Sequence, residues 1–210
     1  MAGVFFTIEG VDGAGKSTQA RRLAERLRAA GHEVVLTREP GGAPGAEEIR
    51  RLLLTGDPAR WSPVTETLLF FAARRDHLER TIRPALDRGA VVVCDRFTDS
   101  TRAYQAAARP GGPGAARELI DLLHERTIGL DPALTLIFDM EPGEALTRGL
   151  ARAGDEERFE RLGEAFQIRL RAIFRDLAAA EPGRCRLIDA SGPEAEVAER
   201  VWAAISPALR

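Results

Sequence analysis

Five short apolar runs punctuate the chain, at residues 4–8, 34–37, 91–95, 134–139 and 186–189, and each gives way to a polar or turn-forming segment. Runs of this length, rich in Val, Ile, Leu and Phe, predict strands covered on both faces. Between them the apolar period changes. Ala20, Leu23, Ala24 and Leu27 recur at helical spacing within 16–30, and similar patterns predict helices near 63–87 and over 115–126, 142–152, 163–180 and 193–205. Alternation of strand and helix predicts an α/β fold, a five-stranded parallel sheet flanked by helices on both faces. Its ligands belong beyond the carboxyl ends of the strands. Glycine and proline concentrate at 40–45 and 110–114, where mobile loops over such a site are expected. No repeat or linker divides the 210 residues, so one domain over 1–210 is expected. The charge-dense stretch 148–161 reads as a solvated helix end or a lid.

Composition narrows the function classes. With 44% hydrophobic residues and a net charge of −2 there is enough apolar material for a buried core, and no basic excess that would mark a nucleic-acid partner. No apolar run has membrane-spanning length and no leader pattern opens the chain, so no membrane partner and a cytoplasmic location are expected. Cys94 and Cys185 lie in or beside strand-like runs, which favours two buried free thiols over a disulfide or metal site. His32, His77 and His124 fall on expected helix ends or exposed faces without metal-ligating spacing, and are read as structural, as are Trp61 and Trp202.

The chemistry concentrates after the first strand. Gly10-Val11-Asp12-Gly13-Ala14-Gly15-Lys16-Ser17 matches the phosphate-binding loop, and it stands between a strand and a helix as that motif requires. Glycines let backbone N–H groups converge on phosphate oxygens, the lysine reaches the outer phosphates, and the Ser17 hydroxyl can ligate Mg²⁺. Lys16 is the only lysine beside 29 arginines, a position where a planar guanidinium does not substitute for a compact ammonium. Asp95 ends the apolar run 91–94; it is either a strand-end turn residue or the carboxylate that holds the metal directly or through water. Arg96 follows it and directs a fixed cation to the same crevice. Phe70 and Arg74 lie four residues apart on one helix face, a spacing that suits either core packing or stacking and edge contact with a base.

Taken together these residues resemble the thymidylate kinase family over essentially the whole chain. The resemblance rests on Glu9 to Thr18, on Arg38-Glu39-Pro40-Gly41-Gly42, on Phe70 with Arg74, and on Asp95-Arg96-Phe97 followed by Ser100 and Ala103-Tyr104-Gln105. It implies a P-loop nucleoside monophosphate kinase architecture with a short lid, ATP and dTMP as substrates, Mg²⁺ as cofactor and a homodimer packed through helices, including the one from residue 63. It also implies roles. Gly10, Val11, Asp12, Gly13, Ala14, Gly15, Lys16, Ser17 and Thr18 hold ATP, with Ser17 and Asp95 at the metal. Phe70 stacks on thymine, Arg74 donates to the carbonyl at position 4, and Thr101 and Gln105 add base contacts. Tyr104 lies beneath the deoxyribose, Arg50 and Arg96 grip the monophosphate, and Asp12 stands near the sugar 3′-hydroxyl, while Glu39 and Ser100 complete the substrate site. Some members carry an arginine directly after the loop aspartate; here that position is Gly13, so the cation over the transferring group must come from the lid. Arg148, Arg152 and Arg158 are the candidates, Arg152 first, and Glu157-Arg158-Phe159-Glu160 varies the lid's usual Asp-Arg-x-Glu.

The expected catalysis is positioning plus charge neutralisation by Lys16, Arg96, Arg152 and Asp12, with no general base required. A related kinase acting on another mononucleotide shares the loop but not the Arg74 and Gln105 pair. A guanine-specific switch needs an Asn-Lys-x-Asp motif, which a chain without asparagine or a second lysine does not hold.

Overall fold

The structure is a computed structural model that describes residues 3–57, 60–108, 114–150 and 163–209. Its centre is the expected sheet: β1 (Val4–Gly10), β2 (Val34–Arg38), β3 (Val91–Asp95), β4 (Leu134–Asp139) and β5 (Cys185–Asp189), in the order β2-β3-β1-β4-β5. Every pairing is parallel, with Phe6 opposite Val93 on one side and Leu134 on the other. β1 is central, and the chain steps to one side of it for β2 and β3 and to the other for β4 and β5. The crevice at that reversal is where an open parallel sheet binds its ligands.

Strand alternation divides the core into two layers. Phe6, Ile8, Val91 and Val93 face α1 (Lys16–Ala29), α8 (Glu164–Ala180) and α9 (Glu194–Ile205), whose Leu23, Leu27, Leu170, Phe174 and Val201 close that side. Phe5, Val92 and Cys94 face the other way and pack with Phe71, Leu78, Ile82, Phe97 and Ile120. Fully burying a side chain such as Phe6 contributes about 1.5–3 kcal/mol. Both cysteines are free and buried.

The expected long helix from residue 63 is helical throughout but changes pitch. α3 (Pro63–His77) runs into a wider π-helical turn at Leu78–Ile82 and then α4 (Arg83–Asp87). Pro84 explains the shift: it has no N–H to donate, and its ring crowds the carbonyl four residues back, so the turn widens around it. A helix absent from the expected pattern, α2 (Pro44–Leu54), begins inside the segment read as a mobile loop. That loop is tethered, since Gly42 N donates to Glu47 Oε1 at 2.9 Å, Ala46 N to Asp76 Oδ2 at 2.9 Å and Thr81 Oγ1 to the Gly42 carbonyl at 2.7 Å. Among the described residues three α-helices remain, α5 (Thr98–Ala108), α6 (Gly114–Leu123), which runs into a second π-helical turn at His124–Ile128, and α7 (Pro142–Leu150). α5 carries much of the site and is docked through Asp99, which accepts from Arg184 Nη1 at 2.6 Å and Arg102 Nη1 at 2.8 Å. Arg148 lies on α7, whereas Arg152, Arg158 and the rest of 151–162, like 109–113 in the second glycine- and proline-rich segment, lie outside the described residues.

Candidate active site

The phosphate loop leaves β1 at Gly10 and enters α1 at Lys16. Gly13 adopts φ +84, and a Cβ there would stand 1.9 Å from the Ala145 carbonyl oxygen on α7, so only glycine fits between loop and helix. Val11 and Ala14 anchor the loop in the core, while Thr18 sits in the first turn of α1. Lys16 folds back over the loop, donating to the Val11 carbonyl at 2.6 Å and standing 3.9 Å from Asp12 Oδ1. Burial, reinforced by the nearby Arg96 charge, lowers its ammonium to about 8. Anionic phosphate would reverse that pressure.

The first turn of α1 and the end of β3 bring the metal candidates together. Ser17 Oγ donates to Asp95 Oδ2 at 2.5 Å, and Asp95 Oδ1 is buried without a hydrogen-bond partner among the described residues. A hydroxyl and an orphaned carboxylate oxygen beside a phosphate loop are hard oxygen donors of the kind Mg²⁺ takes. The pair fits that ion.

Arg96 stands between the phosphate loop and the adjoining cavity. Its φ of 71 is left-handed, a conformation that costs about 1–3 kcal/mol outside glycine and persists only where neighbours impose it. Those neighbours are identifiable: Arg96 N donates to the Ile8 carbonyl at 2.9 Å, and Phe97 N donates to Glu9 Oε1 at 2.7 Å. The twist aims the guanidinium at the crevice, where it donates to Ser100 Oγ at 2.9 Å, to the Gly10 carbonyl at 3.2 Å, to Tyr104 Oη at 3.0 Å and to Asp12 Oδ1. Tyr104 in turn donates to Asp12 Oδ2 at 2.6 Å. Burial alone would raise the Asp12 carboxyl, but Arg96 and Lys16 outweigh it and hold it below the usual range. Glu9 fares differently: desolvation, with Asp99 nearby, pushes it up to about 7 against the bonds from Ser100 and Phe97.

From Arg96 a cavity runs away from the loop, lined by Asp12, Glu39, Arg50, Phe70, Arg74 and Thr101 among others. Arg50 on α2 donates to the Pro40 carbonyl at 2.6 Å. Phe70 on α3 is half-buried at the wall. Arg74 is 2% exposed and lies over the Phe71 and Phe97 rings, with Nε on Glu39 Oε2 at 2.7 Å and Nη2 on Thr101 Oγ1 at 3.0 Å. Its Nη1 is buried with no partner among the described residues. Ser100 and Tyr104 also line the cavity. Gln105 does not: its amide is buried, donating to Glu66 Oε1 at 3.2 Å, with Oε1 unpartnered among the described residues.

Two buried residues escaped the sequence reading as supports of this site. Glu9 is a fully buried carboxylate at the edge of the Arg96 turn, and its signal is a charged residue between an apolar run and the phosphate loop. His77, expected at a helix end or exposed face, does end α3 but is completely buried, and His124 is buried as well, bonded to Thr98 and Asp131. Hydropathy along one helix cannot show that a loop from another strand covers its end.

A phosphate loop, a strand-end carboxylate beside its serine, and an adjoining pocket walled by arginines and aromatics define a P-loop phosphotransferase. The family model described as Thymidylate kinase matches residues 8–201. A thymidylate kinase of Dinoroseobacter shibae is 61% identical over 206 residues, 98% of either chain, and one from Jannaschia sp. is 54% identical over 209 residues, 100% of this chain and 99% of its own. The crystal structure of thymidylate kinase from Ehrlichia chaffeensis superposes with a TM-score of 0.76 at 34% identity, covering 98% of this chain and all of that one. The chain belongs to the thymidylate kinase family.

Proposed function

We infer that the protein transfers the γ-phosphoryl of ATP to dTMP, giving dTDP and ADP. The observation that carries this reading is the Arg74 guanidinium, buried in the cavity wall with one unmet donor, in line with Arg96 and the phosphate loop. A buried donor without an acceptor is costly, and a base carbonyl in the cavity would satisfy it. A 5′-monophosphate oxygen held at Arg96 and Arg50 then attacks the γ-phosphorus while the bond to the ADP oxygen breaks. Lys16 supplies a compact cation to the outer phosphates, and Asp12, held ionised, anchors Arg96 and Tyr104 in position. Ser17 and Asp95 would hold Mg²⁺, which supplies charge neutralisation across the outer phosphates. Phe70 stacks on the base, with Glu39, Ser100, Thr101 and Tyr104 completing the pocket, and Gln105 supports its wall from behind.

Gly13 leaves the loop without an arginine of its own, and its contact with α7 leaves no room for one. We therefore assign the closing cation to the lid segment 148–161, with Arg152 ahead of Arg148 and Arg158. The homodimer reading is supported by Val64 and Leu68, one helical turn apart on α3 and 47% and 48% exposed. Free buried thiols suit a reducing cytoplasm. The direct test is ³¹P NMR of ATP, Mg²⁺ and dTMP with the enzyme. Resonances of dTDP and ADP should grow in equal amounts, whereas ADP with inorganic phosphate and unchanged dTMP would contradict transfer.

A further inference from the structure

A chain of polar groups runs from the half-buried Thr37 on β2 to the cavity wall. Thr37 Oγ1 lies 2.7 Å from His77 Nε2, His77 Nδ1 lies 3.0 Å from Glu39 Oε1, and the other oxygen of Glu39 accepts from Arg74 Nε at 2.7 Å. The side chains of His77, Glu39 and Arg74 are 0%, 3% and 2% exposed, so the two bonds to Glu39 form away from water. A carboxylate only accepts, so Nδ1 carries the hydrogen, and in the neutral ring Nε2 accepts from the Thr37 hydroxyl. Glu39, His77 and Cys94 also place ligand-type atoms within 4.8 Å of one another. They do not form a metal cage. Both ring nitrogens and both carboxylate oxygens are engaged, and Cys94 Sγ donates to the Arg96 carbonyl at 3.0 Å, with burial raising its thiol well above the usual range.

We propose that His77 is a positioning residue for base selection: by fixing Glu39 it sets the plane of the Arg74 guanidinium and the direction in which Nη1 meets the base. The proposal rests on Arg74 being the base-reading arginine. One hydrogen bond on one oxygen leaves a carboxylate free to turn, while bonds on both oxygens from two directions fix it. His77 and Arg74 stand one turn apart on α3, so a single rigid element holds the arginine and sets its anchor. The loop from β2 seals the arrangement. A Cβ on Gly42 would fall 2.4 Å from His77 Nε2 and 2.5 Å from Thr37 Oγ1, so the loop lies directly on that pair. A donor held this firmly accepts a carbonyl at the base edge and rejects an amino group there, and looseness in it erodes that choice.

The test compares kcat and KM for dTMP and dCMP, with inhibition constants where dCMP turns over too slowly, in the full chain and in Arg74→Gln, His77→Leu and His77→Asn. Asparagine puts an amide N–H where histidine puts Nδ1, restoring the bond to Glu39. His77→Leu should lower the dTMP preference about 10-fold, mostly through KM for dTMP, and His77→Asn should recover most of it. Arg74→Gln should lower the preference further. A preference kept in Arg74→Gln means the base reading itself is wrong, and the proposal falls with it. A preference lost in Arg74→Gln but kept in His77→Leu, whatever the unfolding midpoint does, makes His77 structural only and overturns the proposal. If His77→Leu does not fold, Thr37→Val decides: it should cost about 3-fold in preference, the loss of one supporting hydrogen bond, and no change overturns the proposal.

Discussion

Lys16 is 6% exposed and wrapped by its own loop, with Nζ on the Val11 carbonyl and Asp12 within 4 Å. A longer, planar guanidinium cannot occupy that fold-back, and its charge would be spread away from the phosphate it must meet. Lys16→Arg should therefore lower kcat on the order of 100-fold, as loss of a transition-state charge contact does, while near-normal turnover in a coupled ADP assay would contradict the assignment. Glu9 offers a test by pH. Its carboxyl is raised from 4.5 to about 7, so between those values the folded chain binds the proton more tightly than the unfolded one. The stability Glu9 contributes is thus fully present below 4.5 and lost as pH rises through about 7. Since glutamine does not titrate, denaturant unfolding of Glu9→Gln should gain on the native chain across that window, and a pH-independent difference would contradict the raised carboxyl. At this scale the sequence shows Lys16, Ser17 and Asp95 through motif and strand-end position. It hides His77, because its burial comes from β2 and the loop after it, far away along the chain.

At the scale of elements, the apolar runs make all five strands legible; the central β1, β3 and β4 are covered on both faces and so are continuously apolar, while the edge strands β2 and β5 are shorter apolar runs with exposed residues. α2 was not legible, since the Pro40-Gly41-Gly42 signal for a turn masked Pro44, which serves α2 as a first-turn proline. The π-helical turn after α3 is likewise a proline effect that periodicity alone does not register. The contact between loop and α7 leads to a prediction of its own. Gly13→Ala puts a methyl into the Ala145 carbonyl and forces a left-handed φ on alanine, so the loop or α7 must shift. The variant should lose about 1–3 kcal/mol in denaturant unfolding together with most of its ATP affinity; native stability and affinity would show that α7 does not rest on the loop. Arg152→Ala belongs to the same scale, as a test of the lid. It should lower turnover far more than dTMP affinity, and the opposite split would make Arg152 a substrate clamp.

For the whole molecule, parallel topology brings the carboxyl ends of β1, β2 and β3 to one edge, and with them Gly10, Glu39 and Asp95. Residues as far apart in sequence as Asp12 and Tyr104 thereby line one cavity with a buried, under-satisfied guanidinium in its wall, while the metal-competent Ser17 and Asp95 meet beside the phosphate loop. Assembly is tested on the outer face of α3: light scattering should report a dimer for the native chain and a monomer for Leu68→Glu, and two equal masses would remove that face from the interface. The central claim concerns what the cavity selects. The most direct measurement is kcat/KM with ATP and Mg²⁺ against dTMP, dUMP, AMP and dGMP in parallel. The account predicts dTMP first, with AMP at least about 100-fold poorer because its 6-amino group leaves Arg74 without an acceptor. A preference for AMP or dGMP would contradict it.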